Sequence, residues 1–199
     1  MSIRIATEAD ISQILAIYGP YVETTTISFE YEVPTLEVFR ERFLGITKQF
    51  PWLVWEEEGK ILGYAYACAP FERAAYQWCA EPSIYLLPQA QGKGIGRKLY
   101  DVLHEILTAQ GYRLSYAIIT SENEASLAFH RALGYKEIAQ FPDCGYKFGK
   151  RLGVTWMEKA LVSVDTPMNP PFSFPIFVEN ARKNPAFLGK LSLPQMRKI

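Results

Sequence analysis

Residues 80–100 read AEPSIYLLPQAQGKGIGRKLY. An apolar run ends at Leu87, and three glycines, Gly92, Gly94 and Gly96, then alternate with Lys93 and Ile95. Beyond them Leu99, Val102, Leu103, Ile106 and Leu107 share one helical face. The pattern predicts a strand, a glycine turn and a helix. Glycines let backbone approach a ligand closely, and a helix start offers free N–H groups and a positive dipole end. That combination suits a phosphate or pyrophosphate, and Lys93 and Arg97 add positive charge. Two common phosphate turns do not fit. A P-loop needs G-x-x-x-x-G-K-[ST], which is absent. A dinucleotide turn needs G-x-G-x-x-G, and its last position falls on Arg97 or Leu99. The bland alternative is an ordinary glycine-rich connection.

Working outward, Ser2 to Ala6 alternates apolar and polar residues as a strand does. Thr7 with Asp10 resembles a capping box, and Ile11, Ile14, Leu15 and Tyr18 follow on one helical face. Thr35 caps a second helix that runs to about Thr47. WLVWEEEGKILGYAYA, residues 52–67, reads as two strands joined at Glu57 to Lys60 around Gly59. Residues 78–87 form the next strand. The helix after the glycine turn ends at Gly111, and His104 on it reads as a surface residue. LSYAIIT, residues 114–120, is a strand. Ser121 with Glu124 reads as a capping box for a helix ending at Gly134. Final strands lie near 136–140 and 154–161. The order β-α-α-β-β-β-α-β-α-β-β predicts an α/β domain, a mixed sheet with helices on both faces.

From Ser163 the character changes. Six of the last 37 residues are proline, which argues against regular helix or central strand. Phe172, Phe174, Phe177 and Phe187 are too much aromatic surface for a disordered tail. The expectation is a domain at 1–162 and an extension at 163–199. The extension docks in extended form on its own domain or on a second subunit.

Composition narrows the function classes. The chain of 199 residues has 21 Lys plus Arg and 21 Asp plus Glu, without the basic excess of a nucleic-acid binder. No apolar run approaches the roughly 20 residues of a membrane span. MSIRIATEAD lacks the apolar segment of a secretory signal. Cys68, Cys79 and Cys144 have no metal-ligand spacing, and their odd number argues against a disulfide framework. A cytoplasmic protein is expected, with no metal, nucleic acid or membrane partner.

Gln91-Gly92-Lys93-Gly94-Ile95-Gly96 resembles the Q/R-x-x-G-x-G/A signature of the GCN5-related N-acetyltransferases (GNAT), which bind acetyl-coenzyme A (acetyl-CoA). Asn123-Glu124-Ala125-Ser126, opening a helix that closes at Leu133-Gly134-Tyr135, resembles that family's second cofactor segment. Thr24-Thr25 with Phe29, Arg73 to Tyr76 with Glu81, Ser83-Ile84-Tyr85, His130 and Gly145-Tyr146-Lys147-Phe148-Gly149 narrow the likeness further. Together they resemble the phosphinothricin and methionine sulfoximine N-acetyltransferases over about residues 2–161.

The resemblance implies a mostly antiparallel sheet of the acyl-CoA N-acyltransferase kind, a homodimer, and acetyl-CoA as co-substrate. Gly92, Lys93, Gly94, Ile95, Gly96 and Arg97 would hold the pyrophosphate, with Asn123 and Ser126 beside it. Those last two side chains equally suit a helix cap. Ile84, Tyr85 and Leu86 would meet the pantetheine arm through backbone groups, one N–H steadying the oxyanion of the tetrahedral intermediate. Glu81 would be the general base that makes an ammonium into a nucleophile. His130 would protonate the departing thiolate, or simply pack beside the cofactor. Phe71, Arg73, Tyr76, Glu81 and Ser83 would bind substrate, Arg73 pairing with a carboxylate. The resemblance also implies a splayed fourth strand, which would accommodate Pro82. Arg151, Gly153, Ala69 and Phe148 depart from the relatives' pattern and leave the amine open. Acetylation of another amine, or a non-catalytic acyl-CoA sensor, are the rival readings.

Overall fold

The computed structural model describes residues 2–183. Its elements are β1 (Ser2–Ile5), α1 (Ile11–Thr24), α2 (Leu36–Thr47), β2 (Trp52–Glu57), β3 (Lys60–Cys68), β4 (Cys79–Leu86), α3 (Ile95–Gln110), β5 (Leu114–Thr120), α4 (Glu124–Ala132), β6 (Lys136–Lys147), β7 (Lys150–Ala160) and α5 (Phe174–Lys183). One seven-stranded sheet has the order β1-β2-β3-β4-β5-β7-β6. Only β4 and β5 run parallel, and they pair solely at Cys79 with Leu114 and Ala80 with Ser115. From Glu81 onward the two strands diverge.

Two apolar clusters sandwich the sheet. Leu99, Leu103, Ile106 and Leu107 of α3 pack on Leu53, Ala65, Ala80 and Ala117. Ile14, Ile17 and Val22 of α1, with Phe39 and Phe43 of α2, cover Trp52, Val54 and Tyr64 on the other face.

Local signals place most boundaries. The Thr7 N–H donates to Asp10 at 2.7 Å, and Thr35 Oγ1 accepts from Val38 N–H at 3.3 Å. Gly111 closes α3 in the left-handed region, at φ 102°.

Four expectations need correction. The last two strands are much longer than expected. Pro142, Asp143 and Cys144 do not end β6; the register jumps from Phe141↔Val154 to Gly145↔Leu152, so they form a bulge. The cap of α4 is Asn123, whose Oδ1 accepts from Ser126 N–H at 3.1 Å. Ser121 instead meets Thr155 at 3.0 Å. His104 is only 7% exposed and bonds the Tyr135 hydroxyl at 2.8 Å, where burial pushes its pKa down to about 3. Its place beside the apolar stripe hid that partner.

The fourth correction concerns the extension, which contains a helix. Pro175 stands in the first turn of α5, where its missing N–H costs nothing, and no proline follows within 176–183. Phe174, Phe177 and Ala181 join the core cluster under α3. Residues 163–172 do run without regular structure. Arg113 bonds the carbonyls of Ser163 and Val164, and Trp78 Nε1 bonds that of Asn169 at 2.9 Å. Phe187, Pro185 and Pro194 lie outside the described residues.

Candidate active site

The divergence of β4 from β5 creates the site. Leu87 N–H bonds Leu62 on β3, so ladder alternation turns residues 81, 83 and 85 toward β3. The backbone groups of 82, 84 and 86 therefore face the open side. Pro82 sits there because no ladder bond is asked of its nitrogen. Side chains split the neighbouring groups differently. Ile84 and Leu86 pack with the α3 cluster, Tyr85 with the α1–α2 cluster, and Glu81 shares the face of Tyr85 by period-two alternation.

Side-chain hydroxyls lie along much of that open edge. Tyr21 Oη donates to the Leu86 carbonyl at 2.5 Å, accepts from Leu86 N–H at 3.4 Å and receives Gln91 Nε2 at 3.2 Å. Tyr100 Oη lies 3.3 Å from the Pro82 carbonyl. Among the described residues, the open side offers no such partner to Ile84.

On the α3 face a cleft of about 490 Å³ runs along the glycine turn. Its walls include Leu86, Gly92, Gly94, Arg97, Ser126 and Phe129. Gly92 and Gly94 have φ of 71° and 75°, and a Cβ on either would meet nothing within 4 Å. The turn is thus left-handed with open space beside it, as close approach by a bulky anion requires. Gly96 differs. A Cβ there would stand 3.3 Å from Ile84 Cδ1, so its smallness serves helix-on-strand packing. Ile95 borders the cleft but is buried. Lys93 is not among the lining residues. Asn123 and Ser126 border the cleft; Asn123 also caps α4, and Ser126 supplies the backbone N–H that it bonds.

A smaller cavity of about 70 Å³ passes through the gap itself. It is bordered by Glu81, Ser83, Ile84 and Tyr85 on one strand and Ile119 and Thr120 on the other, with Ser126 and His130 behind. Burial pushes the Glu81 carboxyl up to about 7. His130 Nδ1 lies 2.8 Å from the Ser126 carbonyl, which only accepts, so Nδ1 carries the proton. Its Nε2 lies 3.1 Å from Tyr100 Oη, and burial holds its pKa below the ordinary range. His130 is therefore neutral, with Nε2 as the acceptor.

Phe71, Arg73 and Tyr76 do not border these cavities. The rings of Phe71 and Tyr76 lie 4.6 Å apart, and Phe71 stacks on Trp156 at 5.9 Å. Arg73 is exposed and makes no ion pair among the described residues. Sequence reading missed Tyr21, Ile27, Tyr100 and Phe129 as wall residues. Nothing local marks an aromatic on a helix face as facing a ligand rather than a core.

A left-handed glycine turn at a helix start, a strand edge freed by a splay, and a half-buried carboxyl on that strand fit an acyl-group transferase. The comparisons specify the kind. The profile of the Acetyltransferase (GNAT) domain matches residues 3–156, and the chain belongs to this family. It is 36% identical over 149 residues to a phosphinothricin N-acetyltransferase of Streptomyces viridochromogenes, covering 75% of this chain and 81% of that one. It is 38% identical over 162 residues to an L-methionine sulfoximine/L-methionine sulfone acetyltransferase of Pseudomonas aeruginosa, covering 79% and 92%. The crystal structure of a phosphinothricin acetyltransferase from Sinorhizobium meliloti in complex with AcCoA superposes with a TM-score of 0.82 at 35% identity, covering 86% and 94%. No described helix is long and apolar enough to cross a membrane, and no described cluster of three or more His, Cys, Asp or Glu could hold a metal.

Proposed function

We propose that this enzyme moves the acetyl group of acetyl-CoA to the primary amine of a small amino acid or analogue, of the phosphinothricin or methionine sulfoximine type. Glu81 is the general base. Acetyl-CoA is the co-substrate, and the cleft fits it: open left-handed glycines and a helix N-terminus suit pyrophosphate, and the freed Ile84 edge suits an amide-bearing arm.

The observation that carries the reading is the position of Glu81. It lies in the gap, on the face opposite the glycine cleft, with its carboxyl held near neutrality. An amine can therefore reach the thioester carbonyl from one face while the nucleotide end lies on the other. Glu81 takes a proton from the ammonium, directly or through a water, and the amine nitrogen bonds the carbonyl carbon. The Ile84 N–H meets the charge growing on oxygen. The carbon–sulfur bond breaks, the nitrogen gives its second proton to water as the amide forms, and the thiolate takes a proton from solvent or leaves without one. His130, neutral with its Nδ1 proton committed to Ser126, orients Tyr100 rather than supplying that proton. Ser83 lies on the amine side. Arg73, outside the cavities with Phe71 and Tyr76, reaches an acceptor carboxylate only if its loop closes.

A homodimer completes the reading. The β6–β7 hairpin exposes Ile138, Phe141, Tyr146 and Phe148, a surface suited to a second copy.

The test is a panel of amino acids, polyamines and aminoglycosides with acetyl-CoA, followed by free-thiol release, with Glu81→Gln alongside. Amino-acid analogues should be preferred. Glu81→Gln should keep acetyl-CoA affinity and lose roughly 10²-fold or more in kcat. Tight acetyl-CoA binding without thiol release for any amine would convert the enzyme reading to that of a sensor.

A further inference from the structure

Lys147, the last residue of β6, has no part in the reading above. It is only 2% exposed. Among the described residues no carboxylate comes within ion-pair distance of it. Its Nζ instead donates to the carbonyls of Val22 and Ser28, each at 2.7 Å, and lies 4.9 Å from the Phe148 ring centre. A buried ammonium is costly unless its protons are bonded, and here two of them bracket one chain segment.

That segment walls the site. Thr24, Thr25, Thr26 and Ile27 border a groove beside Asn123, and Ile27 also borders both the gap cavity of Glu81 and the glycine cleft. Residues 25–28 have no regular structure to hold them. Thr25 Oγ1 and Ser28 Oγ tie them to α1, at the Tyr21 carbonyl (2.6 Å) and the Tyr18 hydroxyl (2.7 Å), and further ties reach the sheet. Thr120 Oγ1 donates to the Thr26 carbonyl at 2.7 Å, and Tyr31 Oη donates to the Tyr146 carbonyl at 2.6 Å. Gly145 seats against Phe29 so tightly that a Cβ would come within 2.3 Å of the ring.

We propose that Lys147 is a positioning residue. Its ammonium clamps residues 22–28 between α1 and the β6–β7 tip, and so sets the wall of the cavity in which the amine meets Glu81. This rests on the reading of that cavity as the amine site.

The test uses the full chain with Lys147→Met, which keeps length and removes both donors. Amide hydrogen exchange across residues 22–30 should quicken. The KM for the amine should rise about tenfold, on the scale of one lost charge-assisted hydrogen bond, while kcat holds and acetyl-CoA affinity falls far less. Unchanged exchange, or unchanged amine KM, overturns the proposal. A matched loss of amine and acetyl-CoA affinity with a fallen Tm also overturns it, because that marks a merely structural lysine. Should Lys147→Met not fold, Tyr31→Phe decides. Tyr31 is 70% exposed, and its loss should give the same shifts, smaller; no shift in either readout sinks the clamp. Failure of the Glu81 reading shows separately, as an unaltered kcat in Glu81→Gln, and leaves the exchange result standing.

Discussion

Tyr21 on α1 bonds both backbone groups of Leu86 on β4 through one hydroxyl, which donates to the carbonyl at 2.5 Å and accepts the N–H at 3.4 Å. It does there what β5 does at Ala80, and it does so at the rim of the glycine cleft. Tyr21→Phe should therefore leave two strand-edge groups without a protein partner. We expect a stability loss of about 1 kcal/mol and weaker acetyl-CoA binding. Calorimetry and thermal melting check both, and wild-type affinity would remove Tyr21 from the cofactor wall.

The Glu81 carboxyl, raised by burial from its ordinary 4.5 to about 7, makes two pH predictions. As a base it must be ionised, so kcat/KM should climb as pH rises through about 7. That limb should vanish in Glu81→Gln and survive in His130→Asn, since burial already keeps His130 neutral there. The folded chain binds this proton more tightly than the unfolded chain. The associated stability is full below about 4.5 and drains away as pH rises through about 7. Glu81→Gln should then gain Tm over wild type above pH 7 and not at pH 4. An equal Tm difference at both ends would deny the buried charge.

Gly94 has φ 75° and open space where a Cβ would point. Gly94→Ala should cost about 1 kcal/mol in backbone strain without a clash. Gly94→Asp should keep the fold and abolish acetyl-CoA binding, because a negative side chain would occupy the pyrophosphate position. Titration calorimetry on folded protein tests this, and retained affinity would end the phosphate reading of the turn.

Phe177 is fully buried in the core cluster, although it lies in the proline-rich extension. Phe177→Ala should cost roughly 3 kcal/mol or more, each worth about 2–4 °C of Tm in a chain of this size. Truncation after Val162 should lower Tm further while acetyl-CoA still binds. A truncated protein with unchanged Tm would show that this packing contributes nothing.

The order of elements was legible along the chain because caps, turns and periodicities act over a few residues. Thr35, Gly59 and Gly111 mark ends by their own backbone demands. The glycine turn was legible for the same reason. Bulges were not: Pro142 to Cys144 looks like a terminus, and only pairing with β7 shows the strand resuming at Gly145.

What the sequence by itself determined is the strand–glycine turn–helix unit and the helices around it, set by local geometry and spacing; Glu81 stood out only through the family resemblance. Tertiary structure decided which groups meet. It set Glu81 on the face opposite the glycine cleft, buried His104 on Tyr135, left Arg73 and Tyr76 outside the cavities and closed Lys147 on Val22 and Ser28. Those outcomes depend on where β5 leaves β4 and on residues 31 to 125 positions apart. No short-range pattern encodes such distances, because burial and hydrogen-bond partners exist only once the layers have packed.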